Sequence, residues 1–243
     1  MDGVQSLKDM IEAASRIVFF GGAGVSTESG IPDFRSENGI FDAIKKFGYA
    51  PEVLLSHDFF MRHTDTFYEY YKSSLLITGV KPNAAHLALA KLEEMGKLTA
   101  VVTQNIDGLH QLAGSKNVYA LHGGVEQNTC MGCGKKFDAA YVRAADGVPK
   151  CDVCGGIVKP DVVLYGEGLD QTVLRGAISH IAKADMLIVG GTSLAVYPAA
   201  GLIEYFNGAA LVLINKSQTP YDGKADLVIH DAIGKVLGAA VNG

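Results

Sequence analysis

The residues with the clearest chemistry are four cysteines that occur as two Cys-x-x-Cys pairs. Cys130 and Cys133 form the first pair, Cys151 and Cys154 form the second, and the seventeen residues 134–150 separate them. This spacing is typical of a zinc ribbon, in which four thiolates surround one Zn²⁺ and leave no position for water, so the metal is predicted to be structural. Iron in the same cage is the alternative. A nucleic-acid zinc ribbon is disfavoured because few basic residues surround the pairs.

One of the seven histidines has the setting of a catalytic base. A strand pattern over 118–121 leads directly to His122, and Gly123 and Gly124 follow it. A histidine at a strand end, with two glycines beside it, leaves its imidazole accessible to a ligand and able to move a proton near neutral pH. The other histidines lack this context, and His86, near a predicted helix start, is expected to be structural.

A phosphate site is predicted where the first strand ends. The apolar run at 17–20 is followed by Gly21-Gly22-Ala23-Gly24, so backbone N–H groups in a strand-to-helix turn could meet a pyrophosphate. The three-glycine dinucleotide fingerprint is incomplete because Thr27 occupies its third position, and an ordinary tight turn is the alternative. Polar residues also follow later strands, as Gln104-Asn105-Ile106-Asp107 and Gly191-Thr192-Ser193.

Alternating strand and helix patterns must position these residues. Buried-strand runs at 17–20, 100–103, 186–189 and 210–214 alternate with helical patterns, which is typical of a doubly wound sheet. Polar residues at the carboxyl ends of such strands mark the ligand edge of an open α/β sheet. The expected fold is α/β, a doubly wound Rossmann-like parallel sheet with a small zinc-ribbon and helical second domain. The segment 159–167 is expected to return the chain to the main sheet.

Composition excludes several classes of protein. The chain of 243 residues is 48% apolar and 19% charged, enough for one large α/β domain with a small appendage. Its net charge of −5 argues against a nucleic-acid or anionic-membrane binder. No run approaches the ~18 apolar residues of a membrane span, and no signal peptide is recognised. Cysteine pairs suited to metal indicate a reducing, cytoplasmic compartment.

The glycine-rich stretch continues into Ile31-Pro32-Asp33-Phe34-Arg35, and taken whole it resembles the sirtuin family of NAD-dependent protein deacylases. The resemblance recurs at 104–110, at His122, at the cysteines and after two later strands, so it covers nearly the whole chain. It implies removal of acetyl or other neutral acyl groups from protein lysines, with nicotinamide, O-acetyl-ADP-ribose and free lysine as products. NAD would be the co-substrate, one Zn²⁺ would be structural, and His122 and Asn105 would be catalytic.

The resemblance also implies the binding residues, with Phe34 over the reacting ribose and Asp231 near the adenine. The NAD site would comprise Gly22, Ala23, Gly24, Thr27, Asp33, Phe34, Arg35, Gln104, Asn105, Ile106, Asp107, His122, Gly191, Thr192, Ser193, Asn215 and Asp231. The substrate peptide would add as a strand between two segments. These segments are Val162, Val163, Leu164, Tyr165 and Gly166 on one side and Leu194, Val196 and Tyr197 on the other. Expected partners are acetyl-lysine-containing proteins or peptides, with no nucleic acid and no membrane.

The chain is also expected to divide into three parts and to prefer acetyl over succinyl groups. Residues 1–36, 82–124 and 160–243 would form the Rossmann-like NAD-binding domain, 37–81 an inserted helical module, and 125–159 the Cys₄ module. Tyr68 and Tyr71 match the Tyr-x-x-Arg pair with which some sirtuins bind acidic acyl groups. Because the arginine is absent, acetyl is predicted over succinyl.

Two other functions remain open at the level of sequence. One is a mono-ADP-ribosyltransferase on the same scaffold, and the other is a non-catalytic module that binds NAD or acyl-lysine. A module of the second kind would not need His122 at the ligand edge. An NAD-linked dehydrogenase fits less well, because the fingerprint lacks its third glycine and the chain carries a closed metal site.

Overall fold

The structure is a computed structural model that describes residues 2–33 and 37–242. Its strands are β1 Ile17–Gly21, β2 Leu98–Thr103, β3 Val118–Ala120, β4 Gly123–Cys130, β5 Lys136–Asp138, β6 Val158–Val162, β7 Met186–Gly190, β8 Ala210–Ile214 and β9 Leu227–Ile229. Its α-helices are α1 Asp2–Ala13, α2 Glu37–Phe47, α3 Pro51–Leu54, α4 His57–Arg62, α5 Thr64–Tyr70, α6 Ala84–Glu94, α7 Leu109–Leu112, α8 Ala139–Ala144, α9 Gln171–Lys183 and α10 Ile233–Asn242. Short 3₁₀ helices lie at Ala23–Val25, Thr27–Ser29, Ala199–Tyr205 and Asp222–Lys224, and a π-helical turn lies at Tyr71–Leu75.

Six parallel strands form the main sheet in the order β3-β2-β1-β7-β8-β9. The strands β1 and β7 at its centre are buried at every residue, as their uninterrupted apolar runs require. Counted along the chain, the order is that of a Rossmann fold, and its direction reverses between β1 and β7. The predicted doubly wound sheet is confirmed, and its reversal point is where such sheets bind ligands.

Helices cover both faces of this sheet because successive strand residues point to opposite sides. In β1, Phe19 packs with α1, α6 and α10, whereas Phe20 packs on the other face with α9 and the 3₁₀ helix Ala199–Tyr205. The start of α6 is fixed by Asn83, whose Oδ1 accepts the N–H of Ala85 at 2.9 Å. His86 Nδ1 in turn accepts the N–H of Asn83 at 3.2 Å, which confirms a structural role for this histidine.

A second sheet holds the cysteine segment. Strand β4 lies at its centre and pairs antiparallel with β5 and β6. The expectation that 159–167 rejoins the main sheet is wrong, because β6 pairs with β4 in this small sheet. Val158 of β6 packs in one core with Phe60 and Phe67 of the helical insert, residues 37–81, so the small sheet and the helical insert stabilise each other.

Two glycine turns touch at the reversal point of the main sheet. The N–H of Gly24, after β1, donates to the carbonyl oxygen of Gly191, after β7, at 2.8 Å. A Cβ on Gly24 would lie 2.8 Å from the Gly191 Cα, and one on Gly191 would lie 2.4 Å from the Val25 nitrogen. These glycines therefore let two backbones approach. The Gly24 N–H, expected to face a pyrophosphate, is used within the protein.

Among the described residues, no helix has the length and apolar character needed to cross a bilayer.

We expect Gly191→Ala to destabilise the protein by roughly 2–4 kcal/mol, because it adds an overlap with Val25 to the strain of a positive φ of 59°. Gly48→Ala is the matched control, since Gly48 also has a positive φ, 79°, but a Cβ there would meet nothing within 4 Å. Urea unfolding of the two variants measures the difference. Equal losses would contradict the close approach of the two turns.

Candidate functional site

The carboxyl ends of the parallel strands bring the predicted polar residues to one edge. Gly22 follows β1, Gln104 follows β2, His122 follows β3 and Gly191 follows β7. Gln104 connects these ends: its N–H donates to the Gly21 carbonyl at 3.0 Å, and its Nε2 donates to Thr192 Oγ1 at 3.1 Å. The edge is therefore a hydrogen-bonded unit and not a set of separate loops.

The orientation of His122 is set by a backbone carbonyl. His122 Nδ1 lies 2.9 Å from the carbonyl oxygen of Gln104. A carbonyl oxygen only accepts hydrogen bonds, so Nδ1 carries the hydrogen and, in the neutral ring, Nε2 carries the lone pair. The imidazole is partly exposed. His122 thus presents Nε2 as a proton acceptor at the ligand edge, which is the arrangement a general base needs.

A buried serine joins the two polar residues that follow Gln104. Ser26 Oγ donates to Asp107 Oδ2 at 2.6 Å and accepts from Asn105 Nδ2 at 3.0 Å. Ser26 is 1% exposed, and Leu109 N–H donates to the other Asp107 oxygen at 2.9 Å. The Ser26 cluster (Ser26, Asn105 and Asp107) therefore holds an amide and a carboxylate in one orientation. No sequence pattern singles out Ser26, although it lies two residues beyond Gly24.

A cleft of about 250 Å³ runs past the Ser26 cluster and His122 to the small sheet. Thirteen of the predicted site residues border it: Ala23, Gln104, Asn105, Ile106, Asp107, His122, Val162, Val163, Leu164, Tyr165, Gly166, Val196 and Tyr197. Three acidic residues, Glu52, Asp107 and Glu167, also border it, and no lysine or arginine does so among residues 2–33 and 37–242. The predicted cofactor end and the predicted peptide end are thus parts of one cavity.

One side of the cleft is the segment 162–166, here called the peptide wall. The N–H of Val163 donates to the carbonyl oxygen of His122 at 3.0 Å, and Gly123 pairs with Val162. Gly123 has a φ of 71°, and a Cβ there would lie 1.9 Å from the Asp161 oxygen, so only glycine permits this pairing. Gly123, which follows the predicted base His122, therefore allows the strand pairing that positions the peptide wall.

Other predicted NAD residues lie along the same sheet edge but do not border the cleft. Gly22 packs on Thr192, with an added Cβ 2.9 Å from the Thr192 Cβ. Thr27 Oγ1 donates to the Gly24 carbonyl at 3.0 Å. Asn215 follows β8 and donates to the Ser217 carbonyl at 2.8 Å, whereas Ser193 is exposed after β7.

The remaining predicted residues have other placements. Asp231 lies before α10, where hydrogen bonds from Lys235 and from the Ala232 N–H lower the pKa of its carboxyl group. Leu194 is 2% exposed and packs in the core with a φ of 57°, so its side chain does not border the cleft. Asp33 is partly buried outside the cleft lining. Phe34 and Arg35 lie outside the described residues.

Tyr68 and Tyr71, the positions matched to an acyl-carboxylate pair, are buried beneath the site. Tyr68 is 1% exposed and donates to the carbonyl oxygen of Val158, and Tyr71 is 0% exposed. Both belong to the core shared by the helical insert and the small sheet, and neither borders the cleft. They are core residues in this conformation.

Two buried histidines pack against each other, and the charge of Asp107 in the Ser26 cluster acts on one of them, His86. The rings of His86 and His110 are 4.7 Å apart, and neither residue is more than 1% exposed. Burial lowers the pKa of His110 to about 3 and also lowers that of His86, against the opposing charges of Asp107 and Glu28. Both rings are therefore neutral at pH 7 and pack as small polar groups under the site.

The four cysteines converge at the far end of the small sheet. Their four Sγ atoms lie within 4.8 Å of one another, with Cys130 and Cys154 at 3.4 Å and Cys133 and Cys151 at 3.6 Å. Zn–S bonds of about 2.3 Å in a tetrahedron place sulfurs at about these separations. The N–H groups of Cys133 and Gly132 point at Cys130 Sγ and lower its pKa to about 6, which favours the thiolate. The donor set fits one structural Zn²⁺.

The family model described as the Sir2 family matches residues 22–198. The chain belongs to the Sir2 family. A curated Clostridium acetobutylicum relative named NAD-dependent protein deacetylase is 63% identical over 98% of this chain and 97% of that protein. A relative from Cutibacterium acnes with the same name is 49% identical over 97% and 96%.

Solved sirtuin structures share the fold over nearly the full length. A Sir2 complex with a p53 peptide and NAD⁺ is 40% identical, has a TM-score of 0.85, and is matched over 96% of this chain and 95% of that chain. A Sir2 complex with an inhibitor, 2′-O-acetyl-ADP-ribose and a deacetylated p53 peptide is also 40% identical, with a TM-score of 0.84 and the same coverage.

We expect the purified sirtuin to contain one zinc per chain by elemental analysis. Cys130→Ser or chelation should lower the melting temperature and the activity together, because the thiolates tie β4 to the loop before β6. Met131→Ala is the matched control, since Met131 lies between two ligands but is 49% exposed and offers no ligand atom suited to Zn²⁺. Absence of stoichiometric zinc, or a Cys130→Ser protein of unchanged stability, would contradict a structural metal.

Proposed function

We propose that this sirtuin removes acetyl groups from protein lysines in an NAD-dependent reaction that releases nicotinamide, O-acetyl-ADP-ribose and free lysine. The observation that carries the proposal is one continuous cleft bordered by the Ser26 cluster, by His122 and by the peptide wall. A dinucleotide-binding edge and a peptide-binding edge thus meet at a single proton acceptor. The names of the sirtuin relatives, and NAD and acetylated-ribose ligands in solved sirtuin structures, support the same reaction.

The residues present suit NAD on chemical grounds. Asp107 keeps a second lone pair on each carboxylate oxygen, and Asn105 offers its amide oxygen, so both can accept from the carboxamide of nicotinamide. Thr192 and Ser193 can donate hydroxyl hydrogens to phosphate at the reversal point of the sheet. When bound, NAD supplies an electrophilic ribose carbon that carries a good leaving group.

His122 would move the proton on which deacetylation depends. Its Nδ1 hydrogen bond to the Gln104 carbonyl leaves the lone pair of the neutral ring on Nε2, so the ring can take a proton from a ribose hydroxyl. The same carbonyl also stabilises the imidazolium that forms, because Nδ1–H remains a donor throughout. Deprotonating the hydroxyl next to the bound acyl group is the step this geometry supports.

The peptide end suits an extended chain with an acetyl-lysine. Among the described residues, the backbone N–H groups of Gly166 and Val196 donate to no backbone carbonyl, so both can pair with an added strand. Binding through backbone groups supplies affinity with little demand on the substrate sequence. Acetyl-lysine-containing proteins or peptides are therefore the proposed partners.

We propose the cytoplasm as the compartment. The four cysteines are free thiols gathered around one position, and zinc binding requires that they stay reduced. The cytosol keeps thiols reduced, whereas an oxidising compartment would favour disulfides.

His122→Ala should lower deacetylation by roughly 10²–10⁴-fold while zinc content stays unchanged, with thermal stability lowered only by the loss of one hydrogen bond to the Gln104 carbonyl. Exchange of labelled nicotinamide into NAD should partly survive in this variant, since cleavage of the bond between nicotinamide and ribose precedes the need for a base.

Ser26→Ala should lower nicotinamide exchange as well as deacetylation, because it releases the side chains of Asn105 and Asp107. Ser29→Ala on the same turn is its control.

Two results would count against this assignment. One is a folded His122→Ala protein that deacetylates at a near wild-type rate. The other is transfer of labelled ADP-ribose from NAD to protein without deacetylation, which would indicate a mono-ADP-ribosyltransferase.

Acetyl-lysine and butyryl-lysine peptides should be processed roughly ten- to a hundredfold faster than the succinyl-lysine peptide of the same sequence. The described cleft lining carries Glu52, Asp107 and Glu167 and no lysine or arginine, so a succinyl carboxylate would be desolvated without a cation. Butyryl matches succinyl in length but lacks the charge, and kcat/KM for the three peptides separates size from charge. Faster turnover of the succinyl peptide would overturn the prediction.

A further inference from the structure

The peptide wall is held on its outer side by the segment that begins α4. Tyr165 N–H donates to the Leu55 carbonyl at 2.9 Å, and His57 N–H donates to the Tyr165 carbonyl at 2.9 Å. Together with the bond from Val163 N–H to the His122 carbonyl, these contacts hold the wall at Val163 and at Tyr165. The backbone of His57 is therefore already part of the support for the surface that faces the substrate.

The side chain of Glu167 supports the wall from behind. Its Oε2 accepts the N–H of Leu164 at 2.9 Å, and its own N–H donates to the Leu164 carbonyl at 2.9 Å. Lys159 Nζ lies 3.2 Å from the same Oε2 and also donates to the Val162 carbonyl at 3.1 Å. The Glu167 carboxylate thus binds the middle of the peptide wall at Leu164. Lys159 binds both this carboxylate and the first residue of the wall, Val162.

His57 completes this arrangement at the other carboxylate oxygen. His57 Nδ1 lies 2.9 Å from Glu167 Oε1. Partial burial would raise the pKa of Glu167, but the Leu164 N–H, His57 and Lys159 together lower it, so the group is ionised. An acceptor-only carboxylate requires that Nδ1 be the donor. The side chains are 45% exposed for His57, 23% for Glu167 and 17% for Lys159.

We infer that His57 is a positioning residue for the peptide substrate: it orients Glu167, which fixes the wall on which the acyl-lysine peptide is bound. The inference rests on the proposed function for the identity of the peptide. His57 itself does not border the cleft, whereas Leu55, Tyr165 and Glu167 do, so its effect on the substrate is transmitted through them. A residue of this kind changes peptide binding and leaves the proton transfer at His122 unaffected.

The test compares His57→Ala, His57→Asn and wild type with a fluorescein-labelled acetyl-lysine peptide. His57→Ala should raise the peptide KM, and the peptide Kd by fluorescence anisotropy, by roughly three- to tenfold, because a charge-assisted hydrogen bond is lost. The kcat at saturating peptide and the KM for NAD should stay within about twofold. His57→Asn keeps an N–H donor near the position of Nδ1. It should restore most of the peptide affinity.

His63→Ala is the matched control. His63 lies just after α4 and packs against Phe59 with 4.9 Å between ring centroids, and it makes no hydrogen bond to Glu167 among the described residues. It should leave peptide KM and Kd unchanged. A His57→Ala protein with wild-type peptide affinity, or an Asn variant as weak as the Ala variant, would overturn the inference.

A double-mutant cycle with Glu167→Gln tests the route of the effect. If His57 acts through the carboxylate, His57→Ala should add much less in the Gln background than in wild type. If the two substitutions change the peptide Kd by independent factors that multiply in the double variant, the effect of His57 is not transmitted through Glu167. Absence of deacetylation by wild type would refute the proposed function, whereas peptide affinity measured by anisotropy would still decide the role of His57.

Discussion

The site depends on the contact between the turns that follow β1 and β7. Parallel strands in a twisted sheet diverge beyond their ends unless something holds the loops together. Here the hydrogen bond from Gly24 N–H to the Gly191 carbonyl holds the two loops together. The backbones are so close that a Cβ on either residue would overlap the other loop. Ser26 follows directly on this contact, and Gln104 reaches across it to Thr192. Two glycines therefore determine where the Asn105 and Asp107 side chains are presented.

His122, the proposed base, also connects the main sheet to the peptide wall. His122 uses its ring to bind the main-sheet side, at Gln104, and its carbonyl to bind the peptide wall, at Val163. A displacement of the small sheet relative to the main sheet would therefore move His122, as well as the bond from Val125 N–H to the Ile106 carbonyl. The wall belongs to a core that includes Cys130 and the helices of residues 37–81, so the cysteine site and the peptide wall are packed in one unit.

The sequence predicted those features that local patterns encode. Uninterrupted apolar runs identified β1, β7 and β8, and the cysteine spacing identified the metal cage that the sulfur positions support. Pairing with a distant segment has no local signal, which is why β6 was assigned to the wrong sheet. Ser26 was missed for the same reason, since its partners lie 79 and 81 residues away along the chain. The glycines after β1 were recognised, but their role in touching Gly191 required the fold.

The buried pair His86 and His110 has a consequence for acid. A solvent-exposed histidine gains its proton near pH 6.5, whereas His110 in the fold gains it only near pH 3. Between these two pH values His110 is protonated in the unfolded chain but neutral in the native state. The free energy of unfolding therefore falls as the solution is acidified. The acidic limb of a pH–rate profile will therefore contain a loss of native enzyme in addition to the pH dependence of the catalytic step.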